Sequence, residues 1–429
     1  MAGDAVALIG ALRKYVFDKE NTEDVMKVDP VMERIVTKAR KIDIGGISLN
    51  ATLSIRNASG FTPGALSEAG AFPTPGFQSG VSPTLTCAHF AGAVGWSGHV
   101  LAMGKSQLMS FQTRDEIKQN LLDLKDGIHK LLVRMVSWNG TAIWGTTALA
   151  SGTTGGYITM ASGSAPTNFF EAGWTLTLRT ATSGGTEKLT NAATGAGRIL
   201  QVRDDVSPAQ IVLTDASGAT AGGGDYVAVA GLYDQTVIDG LLNLVKNTGT
   251  VMNLDRATGA NAAMRAWYKD MSGAPLGLTD PDYLRDSVND RASLRYGYAS
   301  TWVCNRRSRR SLAATTLGMI RFADQSKAAQ SGTPSFSIND KDGTKEVMET
   351  TYLPDAELLA LDFSKFVYGS PEGMEGPQVV ENPGGSPIFM VPGTSNWTDA
   401  YRSFVTLRCA LGMEEFRAAG RMTNFTPAT

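Results

Sequence analysis

Apolar residues follow a helical period most clearly between residues 113 and 138, where they recur at spacings of three and four. These positions are Ile117, Leu121, Leu124, Ile128 and Met135. Thr113 and Glu116 match a capping box, in which each side chain accepts a backbone N–H of the other residue. Asn139-Gly140 supplies residues that end a helix. The pattern predicts one helix over 113–138, about 36 Å long at about 1.5 Å per residue.

Apolar and polar residues alternate strictly over 47–55, which predicts a strand with one exposed face. A second extended stretch follows at 85–103. Between the two stretches, 57–84 is rich in proline and glycine and shows no period. Because long connections without structure are uncommon inside compact domains, we predict that 46–103 is a projecting two-stranded arm with a mobile tip.

Residues 141–230 differ in composition from the rest of the chain. They hold only ten of its 80 charged residues and 14 of its 47 glycines. Short alternating segments, such as Trp174 to Leu178, are separated by Gly, Ser and Thr. We predict a small β-rich module inserted between helical parts.

The remaining segments predict a mixture of helices and strands. Helical patterns occupy 4–36 (interrupted by Pro30), 236–245, 261–271, 281–295 and 306–322. The Asp-Gly pair before residue 344 marks a tight turn between extended segments. The chain as a whole is therefore predicted to be α+β.

Composition excludes several function classes. The 429 residues carry 39 Lys and Arg against 41 Asp and Glu, so a wholly basic nucleic-acid surface is not expected. No apolar run reaches the length of a membrane span, and the N-terminus lacks the basic start of a secretory signal. Cys87, Cys304 and Cys409 are too few and too far apart for a disulfide framework, which fits a reducing compartment.

Two motifs suggest metal sites and are better explained otherwise. Cys87-Ala-His89 has no second paired motif, and His99 and His129 are the only other histidines. Asp340-Lys-Asp-Gly343 resembles a calcium loop, but its glycine and its acidic residues are misplaced, so we interpret it as a hairpin turn. No nucleophile–base pair or phosphate-binding fingerprint is present. We therefore expect no catalytic, cofactor or metal site, and no enzyme.

Eight arginines and only two acidic residues lie between residues 285 and 321. The arginines are Arg285, Arg291, Arg295, Arg306, Arg307, Arg309, Arg310 and Arg321. Three interpretations are open: contact with a polyanion, docking on an acidic face of another subunit, or a solvated helix face paired with acids elsewhere.

The order of these elements resembles the major capsid proteins of tailed bacteriophages. The resemblance rests on Tyr15-Val-Phe-Asp-Lys-Glu20, Val28-Asp-Pro-Val-Met32 and Gly45-Gly46, followed by the arm and the long helix. Gly249 to Arg256 and the helix from Pro281 also look like the family's later elements. The resemblance implies the Hong Kong 97-type capsid fold, with a peripheral and an axial domain, over nearly the whole chain.

The resemblance implies a domain plan. It assigns 1–45 to an N-terminal arm, 46–103 to an extended β-hairpin loop, 104–140 to a spine helix, 141–230 to an inserted β-rich domain, 231–279 to the peripheral domain, 280–392 to the axial domain and 393–429 to a C-terminal peripheral segment.

The resemblance also implies a function. The chain would assemble with itself into hexamers and pentamers of an icosahedral head that encloses double-stranded DNA, formed in the bacterial cytoplasm and located in the virion. Portal, scaffolding and decoration proteins are the implied partners, with weak DNA contact and no membrane. Alternatives are an encapsulin-like shell around enzyme cargo and a glycan-binding adhesin or decoration protein.

Apolar side chains on the tip of the arm have no local core, so we expect them to contact a neighbouring subunit. With the arginine cluster, the predicted contact residues are Phe61, Leu66, Glu68, Phe72, Phe77, Arg306, Arg307, Arg309 and Arg310.

Overall fold

The computed structural model describes part of the chain. The described residues are 29–44, 50–53, 55–56, 80–97, 110–150, 156–161, 163–183, 185–188, 197–206, 209–214, 223–232, 238–277, 279–291, 299–317, 336–340, 343–371, 376–380, 389–390 and 400–426. They mix helices and strands, which confirms the predicted α+β class.

Five α-helices lie within these ranges: α1 (Pro30–Lys38), α2 (Ser110–Ser137), α3 (Leu241–Leu244), α4 (Asp280–Arg291) and α5 (Arg306–Leu317). The strands are β1 (Arg40–Asp43), β2 (Asn50–Thr52), β3 (Ile55–Arg56), β4 (Gly80–Val81), β5 (Thr84–Thr86), β6 (Ala88–Ser97), β7 (Ile143–Ala150), β8 (Tyr157–Met160), β9 (Leu176–Arg179), β10 (Ile199–Arg203), β11 (Gln210–Leu213), β12 (Tyr226–Val229), β13 (Thr250–Val251), β14 (Leu254–Asp255), β15 (Trp267–Asp270), β16 (Thr301–Cys304), β17 (Phe336–Asp340), β18 (Gly343–Glu349), β19 (Glu357–Leu361), β20 (Phe366–Ser370), β21 (Gln378–Val379), β22 (Phe389–Met390), β23 (Ala400–Met413) and β24 (Gly420–Thr423).

The chain divides into two compact units. The first draws on 1–51, 85–133 and 367–411, and the second on 52–84, 134–366 and 412–429.

The first unit is organised around the long strand β23. β6 pairs with it antiparallel over ten residues, from Ala88 opposite Cys409 to Ser97 opposite Ala400. β1 pairs with β20 in parallel, and β20, β21 and β22 also join β23. Helix α2 packs closely on β6, because a Cβ placed on Gly92 would lie 2.6 Å from Cδ1 of Leu124.

The pairing of β6 corrects the predicted arm. The sequence pattern placed 85–103 opposite the strand of 47–55, but β6 belongs to the β23 sheet. Within the described residues of 46–103, the short pairs β2–β5 and β3–β4 have the arrangement predicted for the arm. The alternating pattern showed which side of β6 is buried without showing which strand supplies its hydrogen bonds.

The second unit contains two six-stranded sheets. One has the order β10-β11-β8-β7-β12-β9 and accounts for the β-rich segment 141–230 predicted from composition. The other, β15-β24-β19-β16-β18-β17, mixes parallel and antiparallel pairs and is covered by α4. Leu284 and Val288 of α4 are fully buried on this sheet, close to Gly420.

The boundaries of α1 and α2 differ from the predictions. Pro30 begins α1 instead of interrupting it, because a proline at the first helical position needs no N–H partner. Asp29 caps this helix by accepting the N–H groups of Val31 and Met32 at 2.8 and 3.1 Å. Helix α2 begins at Ser110, so Thr113 lies inside the helix and is not its cap.

Two further predictions change, and one is confirmed. The helix predicted for 261–271 is a 3₁₀ turn, Gly259–Met264, followed by strand β15, because Trp267 to Asp270 pair in parallel with β24. Within the described part of the helix predicted for 236–245, which is 238–245, the helix covers α3. The predicted hairpin turn is confirmed, since Asp340 pairs with Gly343.

Candidate assembly surface

The structure locates the arginine part of the predicted contact set. Phe61, Leu66, Glu68, Phe72 and Phe77 lie outside the described residues. The four arginines all belong to α5.

Helix α5 separates a buried face from an exposed one. Asn305 precedes it, and its Oδ1 accepts the N–H of Ser308 at 2.8 Å. Ser308, Ser311 and Leu312 are buried, which is the three-and-four spacing of one helix face. Over 306–312, where burial is described, the exposed positions are Arg306, Arg307 and Arg310.

Three of the arginines contact carboxylates of the same chain. Arg306 Nε and Arg309 Nη1 lie 2.9 and 2.6 Å from the two oxygens of Glu349. Arg307 Nη1 lies 2.6 Å from Oδ2 of Asp355. The side chains of Arg306 and Arg307 are 66% and 60% exposed, so water screens these pairs and each contributes about 0–1 kcal/mol. A neighbouring acidic surface can therefore compete for them at small cost.

Arg310 is exposed and has no ion pair within the described part of the chain. Four arginines face two carboxylates at this place, so the exposed side of α5 is basic. Such a surface attracts an acidic partner and does so less strongly as salt rises.

The remainder of the arginine run is dispersed. Arg285 is buried and lies 3.0 Å from Asp286 and 3.9 Å from Asp282, so it is a structural residue of α4. Arg291 is exposed at the end of the same helix. Arg295 and Arg321 lie outside the described residues.

Arg134, near the end of α2, is a buried charge that the sequence pattern did not reveal. Its guanidinium carbon lies 4.3 Å from the ring centre of Trp174 and 5.5 Å from that of Tyr352. Nη2 lies 2.9 Å from Oε2 of Glu171. These partners of Arg134 are distant from it in the sequence, so no local sequence pattern predicts the contacts. Cation–π contact and ion pair together fix the inserted sheet to the end of α2.

The described residues considered for metal binding, Cys87, His89 and His129, do not form a metal-binding group. Burial lowers the pKa of His129 to about 4, and it lowers the pKa of His89 as well. His99 lies outside the described residues. Among the residues that are described, no three His, Cys, Asp or Glu side chains form a group able to hold a metal ion.

The three cysteines are free thiols. Burial raises the pKa of Cys304 to about 12 and also raises the pKa of Cys409 and of the half-buried Cys87. Within the described ranges no helix is both long enough and apolar enough to span a membrane.

No protein-family model matches the sequence, and no curated protein matches it. Solved structures do. The capsid of cyanophage A-1(L) shares 10% identity, with 92% of this chain and 93% of that chain covered and a TM-score of 0.49. The capsid of a native GTA particle shares 11% identity, with 92% and 90% covered and a TM-score of 0.41.

This chain resembles bacteriophage capsid proteins. The SrpI encapsulin of Synechococcus elongatus is also similar, at 9% identity, with 98% of this chain and 97% of that chain covered and a TM-score of 0.38.

Proposed function

We propose that this chain is the major capsid protein of a tailed bacteriophage, the repeating subunit of an icosahedral head. In this proposal it assembles into hexamers and pentamers and encloses double-stranded DNA without catalysing a reaction. Assembly takes place in the host cytoplasm, with portal, scaffolding and decoration proteins as further partners.

The open edge of β6 carries the proposal. In the part of the chain that the structure describes, β6 pairs with β23 alone, so no described strand covers the other edge of this ten-residue strand. An edge of this length is a template for pairing with another chain. A closed symmetric assembly satisfies such an edge at every copy, whereas a monomer leaves it exposed.

The side chains of β6 also favour close approach. His89, Ala91, Ala93 and Gly95 are exposed on one face, and three of these four have little or no side chain. Small side chains permit a second backbone to come near the strand. The pairing of β3 with β4 supports the same function. The pair Ile55–Val81 brings together the two ends of the proline-rich segment. We propose that this segment contacts a neighbouring subunit.

Electron microscopy of the purified protein tests the proposal. We expect rings, tubes or shells, and a monodisperse monomer at micromolar concentration would contradict it. Particles that contain nucleic acid support a phage head, whereas particles that contain an enzyme would show an encapsulin-like shell instead.

Two lysines placed on the edge test the role of β6. Ala91→Lys with Ala93→Lys is expected to leave the protein folded and to abolish assembly, since charged residues block pairing at strand edges. Ala148→Lys, at an exposed position of the inserted sheet, is the matched control and is expected to assemble. Normal assembly of the double variant would show that the edge of β6 is not part of the interface.

The predicted contact residues remain part of the proposal. Phe72→Ser with Phe77→Ser is expected to give folded capsomers that fail to close or close into fragile particles. Arg306→Gln with Arg310→Gln is expected to weaken assembly most at low salt, because basic surfaces act over longer distances there. Unchanged assembly yields in both variants would show that these residues are not contacts.

A further inference from the structure

A pocket of about 440 Å³ lies in the second unit beside β15, which is an edge strand of its sheet. The volume falls within the range of about 300–1,000 Å³ that is usual for small-molecule sites. The side chains that give it its chemistry are Asn247, Thr248, Arg265, Trp267, Tyr268 and Arg291.

The lining is cationic. It contains two guanidinium groups and no carboxylate. Two acids of the lining segments are engaged elsewhere: Asp255 accepts the N–H of Ala257 at 2.9 Å, and Asp270 accepts that of Ser272 at 2.7 Å. Arg291 has no ion pair within the residues that the structure describes. An anion entering the pocket therefore meets two guanidinium groups and no carboxylate among the lining residues.

Arg265 is held in place before any ligand binds. Its Nε donates to the carbonyl of Arg256 at 2.7 Å, and its Nη2 donates to that of Ala257 at 2.9 Å. The buried Arg256 side chain anchors the two residues that provide these carbonyls. It donates to three backbone carbonyls, those of Asn243, Leu244 and Thr248. A rigid guanidinium loses little entropy on binding, so it favours recognition of an oxyanion.

The remaining lining residues add donors and aromatic surface. Trp267 is fixed by an edge contact with Tyr283, with ring centres 5.8 Å apart. Tyr268 supplies a phenolic hydroxyl, whose pKa is raised by burial. Asn247 and Thr248 supply an amide and a hydroxyl. Guanidinium groups suit phosphate oxygens, and aromatic rings suit the flat face of a base.

We propose that this pocket binds the phosphate group of a nucleotide, either free or within a nucleic acid strand. Two guanidinium groups and the neighbouring donors match the several oxygens of a phosphate, and the volume leaves room for a sugar and base beside it. The inference goes beyond the proposed shell and does not depend on it.

Binding to the full-length protein tests the site. The probes are inorganic phosphate, deoxyadenosine monophosphate and a short single-stranded DNA, followed by calorimetry and tryptophan fluorescence. We expect saturable binding of the mononucleotide, weakened at least tenfold in Arg291→Gln, an exposed position that the fold does not need. Arg198→Gln, an exposed arginine of the inserted sheet, is the matched control and is expected to bind normally.

The probes separate the two sources of phosphate. Tighter binding of DNA than of the mononucleotide, with the same loss in Arg291→Gln, assigns the site to nucleic acid, and the reverse order assigns it to a free nucleotide. The proposal is overturned if none of the probes binds saturably up to millimolar concentration, or if Arg291→Gln binds as tightly as the unaltered chain.

Discussion

Among the glycines that the structure describes, Gly140 is the one at which an added Cβ would come closest to another atom. It follows α2 with φ +86°, and its N–H donates to the carbonyl of Met135 at 3.0 Å. A Cβ at this position would lie 1.7 Å from the carbonyl oxygen of Ile238 and 2.4 Å from the backbone nitrogen of Gly240. Both are main-chain atoms, so no side-chain rotation relieves the clash.

The expected cost of Gly140→Ala has two parts. A left-handed backbone costs an L-residue about 1–2 kcal/mol. Forcing the segment around Ile238 away costs a further 1–3 kcal/mol, roughly the cost of overpacking a core. We expect Gly140→Ala to lower the free energy of unfolding by about 2–5 kcal/mol.

Gly249 provides a matched control, because it has φ +84° and open space where a Cβ would lie. Gly249→Ala therefore isolates the backbone cost of about 1–2 kcal/mol. Urea unfolding of the unassembled protein, followed by tryptophan fluorescence, measures both. Equal unfolding midpoints for the two variants would refute the steric reasoning.

Three further predictions follow from buried groups and from α2. Arg421→Met is expected to lower the free energy of unfolding by about 3–5 kcal/mol. Arg421 Nη2 lies 2.6 Å from Oε1 of Glu357, so the substitution leaves that buried carboxylate without its ion-pair partner. Replacing both residues by Met should recover much of that loss in thermal unfolding. The pKa of His129 falls from 6.5 to about 4 on burial, so the folded state binds fewer protons than the unfolded state between these values; stability should drop by about 3 kcal/mol as pH falls through this window. His129→Gln should flatten that part of a pH titration of stability, and an unchanged slope would contradict the assignment. Gly127→Ala, inside α2 with nothing within 4 Å of the added Cβ, should stabilise the protein by about 0.5–1 kcal/mol, measured by urea unfolding.

Local signals in the sequence were sufficient for several elements. The three-and-four spacing located α2, and Asn139-Gly140 located its end, because both depend on residues within one or two turns. The Asp-Gly pair located the hairpin of β17 and β18 for the same reason. Low charge and frequent glycine marked 141–230 as different from the rest of the chain, and β7 to β12 in this segment form one sheet.

Contacts between distant segments were decided only by the tertiary structure. Alternation in the sequence showed that β6 is a strand, but every strand offers the same backbone donors and acceptors, so its pairing with β23, some 300 residues away, has no local signature. The sequence pattern places Trp267 in a helix for the same reason. Its strand conformation depends on pairing with β24, which is distant in sequence.

The charged residues also separate what the sequence determines from what the tertiary structure determines. The sequence showed an arginine-rich α5, and the fold supplied Glu349 and Asp355 as its partners and placed Arg134 against Trp174. Composition and periodicity determine which residues are apolar, charged or able to turn the chain. Which of them meet depends on the packing of elements far apart in sequence, because burial and electrostatic interaction act through space and not along the chain.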